Sequence, residues 1–176
     1  FYEYNKLEHP DFALEKKPLD VAEIVRTFLA NIYDEFDLRG YNLDTEITEE
    51  QLICDVDEQN LLRVFENLTG NFFKYTSKGT TLFVEAEKDG DFALVRVMDN
   101  GPGITDDDVF EAFVVGEKSR NKQGSGLGLA VCKKIVNMHG GEISLAKEPK
   151  DGYNTEFDIR LPLSKQRETK ECGEQG

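Results

Sequence analysis

The chain has 176 residues, 39% hydrophobic and 32% charged, which is enough for one domain with a core of its own. Its net charge of −14 repels nucleic acid and anionic lipid, which argues against either as a partner, and a nucleoside triphosphate would need a local concentration of positive charge. Three cysteines without CxxC spacing and two histidines without an HExxH or Cys/His cluster argue against a disulfide framework and a zinc site, and for a reducing compartment.

The chain begins at Phe1 rather than Met and reads as a fragment or a processed chain. It shows no signal peptide and no apolar run long enough to span a bilayer, so any membrane anchor of a parent protein is expected upstream. Residues 1–10 read as the end of a helix entering from an upstream element, and Pro10 and Pro18 bracket a short extended piece, Phe12 to Glu15. Asp20 is an N-cap for a helix over Val21 to Phe36, with Ile24, Val25, Phe28, Leu29 and Ile32 on one side. Gly40 is expected to end the following loop. Short strands follow at Leu43 to Ile47 and Leu52 to Cys54, where Cys54 is a small core residue.

Asp57 caps a second helix, in which Leu61, Phe65, Leu68, Phe72 and Tyr75 form one buried stripe. Ser77-Lys78-Gly79 stops it. Strands over Thr81 to Lys88 and Phe92 to Asp99 form a hairpin through Asp89-Gly90. From Asn100 to Gly126 regular structure is hard to find, and a stretch of that length is a binding loop or lid, or else disordered. A third helix over Leu127 to His139 turns Val131, Cys132, Ile135 and Val136 inward and ends at Gly140-Gly141. Strands at Glu142 to Ala146 and Thr155 to Leu161 close the fold, with a turn at Asp151-Gly152. Residues 164–176, including Cys172, form a polar tail.

Three pieces carry chemistry. Asn67, Asn71 and Lys74, spaced i, i+4 and i+7, share one narrow helix face roughly 110° from the apolar stripe. They therefore border the core where a cleft can open. An amide oxygen suits a Mg2+ that already carries phosphate oxygens, although surface solvation would also explain the pair of asparagines. Asp99-Asn100-Gly101-Pro102-Gly103-Ile104 follows a strand whose alternation puts Asp99 on the face of Val95 and Val97. A carboxylate there could accept from the exocyclic amine of adenine, and Gly101 and Gly103 permit close backbone approach; a capped tight turn is the plainer reading. Gly124-Ser125-Gly126-Leu127-Gly128 opens the third helix, where free backbone N–H groups and the helix dipole can hold phosphate. The polar run Glu117 to Gln123 before it cannot be the buried strand of a Rossmann fingerprint, and no GxxxxGK[ST] exists. Lys118, Arg120 and Lys122 are either a solvated loop or the positive charge that an acidic nucleotide site requires.

In this order the pieces resemble the histidine-kinase ATP-binding domain of the gyrase, Hsp90, histidine kinase and MutL superfamily, over about residues 18 to 163. Asn67 to Tyr75 resembles its N box, Asp99 to Ile104 its first glycine box, Val109 to Phe113 its F box and Gly124 to Gly128 its second glycine box. Two positions depart from the family pattern: Phe72 stands where a small residue is usual, and Val114-Val115-Gly116 where an aromatic and a basic residue are common.

The resemblance implies an α+β two-layer sandwich of the Bergerat type, a mixed and largely antiparallel sheet of about five strands against three helices. It implies ATP and Mg2+ as ligands. Asn71, supported by Asn67, would hold the metal, Lys74 would reach a phosphate, and Tyr75 would pack against the nucleotide. Asp99 would read the adenine amine beside Gly101, Gly103 and Ile104. Residues 105–123 would be a lid with Lys118 and Arg120 as phosphate contacts, anchored by Phe110 and Phe113. Gly124, Ser125, Gly126, Leu127 and Gly128 would form the phosphate cradle.

Hydrolytic members of the superfamily carry a glutamate one turn before the metal-binding asparagine. That position is Asn67 here, so the resemblance implies ATP held for another nucleophile, a histidine on a partner helix. This chain has no His-Glu-Leu-Arg-Thr-Pro pattern, and His139, before Gly140-Gly141, reads as structural. The expected organisation is the end of a dimerisation helix and linker over 1–17, the catalytic domain over 18–163 and a tail over 164–176. The piece alone would be a monomer. The parent would be a homodimer anchored in the plasma membrane with this domain in the cytoplasm, passing its phosphoryl group to a response regulator. The alternatives are an inactive nucleotide-binding regulator and a protein-interaction domain of the same fold.

Overall fold

The computed structural model describes residues 2–104, 109–110 and 128–165. Its elements in chain order are α1 (Tyr2–Glu8), β1 (Lys17–Asp20), α2 (Val21–Arg39), β2 (Asn42–Ile47), β3 (Ile53–Val56), α3 (Glu58–Tyr75), β4 (Thr81–Asp89), β5 (Phe92–Asp99), α4 (Gly128–Met138), β6 (Glu142–Leu145) and β7 (Thr155–Pro162). Five strands form one sheet in the order β2-β4-β5-β7-β6, and β1 and β3 form a separate antiparallel pair. The β2–β4 pairing is parallel and the rest of the large sheet antiparallel, giving the mixed, mostly antiparallel sheet expected.

Alternation along the strands explains the layers. Leu82, Val84 and Ala86 of β4, Ala93, Val95 and Val97 of β5, and Phe157, Ile159 and Leu161 of β7 share one face and pack with α2, α3 and α4 in a single core. The other face mixes Phe83, Leu94 and Met98 with a charged network in which Arg96 bridges Glu85 and Glu87 and Lys150 pairs with Glu85. Cys54 and Cys132 are buried free thiols, and burial pushes both up to about 12.

Both expected N-caps form. The Asp20 carboxylate accepts from the Ala22 N–H at 3.0 Å, and Asp57 accepts from the Asn60 N–H at 3.1 Å. His139 is buried and joins two helix ends. Its Nδ1 lies 2.7 Å from the Ile135 carbonyl, and its Nε2 accepts from the Asp57 N–H at 3.0 Å. That pattern fixes a neutral ring with the proton on Nδ1.

The structure corrects four local expectations. Gly40 does not end a loop: it caps α2 with a left-handed φ of 79°, so the helix runs on to Arg39. The strand lies beyond the extended piece at residues 12–15: it is Lys17–Asp20, against β3, while the Glu15 N–H donates to the Asp57 carboxylate at 3.0 Å. The hairpin turn is Gly90-Asp91, because Asp89 still pairs with Phe92. Tyr75, placed in the buried stripe of α3, is 37% exposed because the helix leaves the core at its last turn.

Candidate nucleotide-binding site

The site forms where the C-terminal half of α3 passes the ends of β4, β5 and β7. Leu68, Phe72, Leu82, Val97 and Phe157 wall a narrow cleft. Polar groups meet at its edges: Asn71 and Thr76 from the end of α3, Asp99 from the end of β5, and Thr155 from the start of β7. An apolar slot with a few convergent polar groups is the form that a flat heteroaromatic base requires.

Asp99 and Val97 both line the cleft, as the strand alternation implies. One Asp99 oxygen accepts from the Gly101 N–H at 2.9 Å. Burial raises its carboxyl above the usual range, and the Gly101 hydrogen bond partly opposes that rise. The following turn is held from both sides. The Asn100 side chain accepts from the Thr81 N–H at 2.8 Å, and Asn154 donates its side-chain amide to the Gly101 carbonyl at 2.8 Å. Gly101 leaves no room for a side chain, since a Cβ would meet Thr76 Cγ2 at 2.7 Å and the Asp99 carboxylate at 2.9 Å. Gly103 adopts a left-handed φ of 86° against the Asn154 carbonyl.

Asn71, Tyr75, Asp99, Gly103 and Ile104 line the cleft together. Asn67 does not. Its side-chain amide donates to the Gly128 carbonyl at 3.4 Å and also reaches the Cys132 thiol, so it ties α3 to the start of α4. Lys74 does not line the cleft either: it is exposed, its ammonium 5.3 Å from the ring centre of Tyr75, which does. Phe72 turns inward: it is 4% exposed and stacks on Phe36 at 5.4 Å, so one side fills the core and the other floors the cleft. Phe110 packs edge-on against Phe157 at 5.8 Å. Lys118, Arg120, Gly124, Ser125, Gly126, Leu127 and Phe113 lie outside the described residues.

Sequence reasoning missed Thr76, Thr155 and Asn154. Thr155 is buried directly opposite Asp99 in the β5–β7 register, a neighbourhood visible only once the strands are paired. Thr76 carried a weak local signal as the residue that ends α3, where its hydroxyl donates to the Phe72 carbonyl at 2.6 Å.

Residues 56–165 match the family described as histidine kinase-, DNA gyrase B- and HSP90-like ATPase. The chain belongs to that ATPase family. Among its relatives is the alginate biosynthesis sensor protein KinB of Pseudomonas aeruginosa, 31% identical over 85% of this chain and 25% of KinB. This chain thus spans about a quarter of that relative. Full-length ShkA, solved with AMPPNP, superposes with a TM-score of 0.75 at 25% identity, over 92% of this chain and 34% of ShkA. The nucleotide-free catalytic domain of histidine kinase ThkA superposes with a TM-score of 0.73 at 22% identity, over 86% of this chain and all of that one. ThkA has also been solved with the response regulator TrrA, with a TM-score of 0.72 at 22% identity, over 92% of this chain and 46% of that one.

The cleft fits what an ATPase of this family must bind. Its apolar walls and the Asp99 carboxylate suit an adenine ring with its amine. Asn71 lines the same cleft and offers it an amide. Among the described residues no three His, Cys, Asp or Glu gather into a metal site. The donor set therefore suits a Mg2+ that arrives with phosphate better than one bound by protein alone.

Proposed function

We propose that this chain is the catalytic domain of a two-component sensor histidine kinase. It binds ATP with Mg2+ and donates the γ-phosphoryl group to a histidine on a separate dimerisation domain of the same protein. The observation that carries this reading is the cleft itself, an apolar slot lined by both Asp99 and Asn71; beside it, Asn67 bears an amide where a hydrolase needs a carboxylate.

Asp99 selects the base by accepting from its amine, and Tyr75 covers the open side. Asn71 offers its carbonyl oxygen to Mg2+, whose charge would offset that of the phosphates, and Lys74 supplies a cation at the rim. Lys118, Arg120 and Gly124 to Gly128 complete the phosphate side in this reading. In the transfer, the histidine nitrogen bonds to the γ-phosphorus as the bond to the bridging oxygen breaks. ADP leaves with that electron pair, and the ring proton goes to solvent. Such chemistry depends on positioning and charge neutralisation more than on a protein base. Asn67 cannot take a proton from water, which favours transfer over hydrolysis.

The parent protein would be a homodimer passing phosphate on to a response regulator. The ThkA complex supports that class of partner. Residues 1–17 would come from the end of the dimerisation helix and its linker, with the membrane anchor elsewhere in the parent. No helix among the described residues is long and apolar enough to cross a membrane.

The test is to incubate the chain with γ-labelled ATP, Mg2+ and the parent's histidine-bearing domain. The expected product is acid-labile, base-stable label on that domain. ATP binding without label would leave a regulatory module of the same fold.

A further inference from the structure

We propose that Asn154, in the β6–β7 connection, is a positioning residue that aims the Asp99 carboxylate at the adenine amine and so sets base selectivity. This rests on the nucleotide reading above. It adds a residue that lies outside the N box and the glycine boxes and is far from them in sequence.

Three observations converge on Asn154. Its backbone N–H donates to the Asp99 carbonyl at 2.9 Å. Its side-chain amide donates to the Gly101 carbonyl at 2.8 Å. Its own carbonyl lies 3.2 Å from where a Cβ on Gly103 would be. One residue thus touches the turn at its first, third and fifth positions.

The middle contact matters most. Gly101 holds Asp99 through its N–H and is itself held by Asn154 through its C=O. The chain of bonds runs from the Asn154 amide, through the Gly101 residue, to the Asp99 carboxylate. Gly101 has no side chain to restrict its backbone, so without the anchor on its carbonyl the turn loses its hold beyond Asn100 and the Gly101 N–H is aimed less firmly at Asp99. A carboxylate in a half-buried, apolar slot reads an amine well only when its orientation is set beforehand.

The rest of the connection keeps Asn154 in place. Tyr153 stacks on Phe83 at 5.6 Å, and Lys150 is fastened to Glu85 by its side chain and to Glu156 by its backbone N–H. The hairpin therefore grips the outer face of the sheet while Asn154 reaches over its end. Asn154 is exposed and touches no core residue through its amide, so it can be replaced with little effect on folding.

The test compares two nucleotides on three proteins: the unaltered chain, Asn154→Asp and Asn154→Ala. The nucleotides are ATP and purine riboside triphosphate, which carries hydrogen in place of the amine at C6. Asn154→Asp keeps the shape but replaces the N–H donor with a negative charge, and Asn154→Ala removes the group without adding one. We expect ATP affinity to fall about three- to tenfold in both variants, the scale of one lost hydrogen bond. Affinity for purine riboside triphosphate should stay within about twofold, which also reports that the variants are folded. Equal losses for both nucleotides would overturn the proposal, because the connection would then act only as a wall, and so would unchanged ATP affinity. If the unaltered chain binds neither nucleotide, the nucleotide reading fails and the positioning role fails with it.

Discussion

At Asp99 and Gly101 the chemistry and the backbone compete for the same few ångströms. The Gly101 amide holds one oxygen of Asp99, and the space for a side chain on Gly101 is already taken by Thr76 and that carboxylate. Gly101→Ala is therefore expected to displace one of them. Overpacking of this kind costs about 1–3 kcal/mol. Since both Asp99 and Thr76 line the cleft, either displacement should lower nucleotide affinity. A thermal melt beside an ATP titration checks this, and a variant that melts early but binds normally would contradict it. Phe72 shows why a residue type alone can mislead. Its size departs from the family pattern at the nucleotide box, yet its ring lies against Phe36 in the core. It narrows the floor of the cleft without entering it.

Between elements, the joint at His139 makes stability depend on pH. Burial lowers its pKa from the ordinary 6.5, with Lys16 adding to the effect. The unfolded chain then binds more protons below pH 6.5, so this contribution is full above 6.5 and is lost as pH falls. His139→Ala should remove that acid sensitivity. It should also cost about 1–3 kcal/mol at neutral pH, because the Asp57 N–H loses its acceptor. Melts from pH 5 to 8 would show both, and an unchanged slope would contradict the role. Asp158 acts in the opposite sense. Burial and the neighbouring Glu156 raise its carboxyl from 3.8 to about 7. The folded chain then binds the extra proton between those values, so stability from this group grows as pH falls from 7 toward 4. Asp158→Asn mimics the protonated form. It should raise the melting temperature at pH 8 and change it little near pH 4. A variant less stable at pH 8 would argue against a strained carboxyl pair.

For the molecule as a whole, what was legible in the sequence was local. The N-caps at Asp20 and Asp57, the apolar periods of α2, α3 and α4, and the alternation placing Asp99 beside Val97 need only a few neighbouring residues to specify them. What stayed hidden depends on pairing across the chain. Strand β1 carries Pro18 and a lysine and pairs only with β3, so nothing in its composition marks it as a strand. The parallel register of β2 on β4 joins residues far apart in sequence, and Thr155 and Asn154 reach Asp99 only because β7 pairs with β5. Tyr75 was misplaced because helical period runs on past the point where α3 leaves the core. Asn67 shares a helical period with Asn71, but it does not line the cleft, because its amide joins α3 to α4.

The proposed function requires that Asp99, in the cleft beside α3, accept from the adenine amine. Calorimetric titration of the chain and of Asp99→Asn with ATP, with and without Mg2+, tests it most directly. The predicted result is saturable binding that Mg2+ strengthens and that the substitution weakens roughly tenfold or more, since a charge-assisted hydrogen bond contributes about 1.5–3 kcal/mol. Binding that the substitution leaves unchanged, or no binding by either protein, would contradict the account and favour an interaction domain of the same fold.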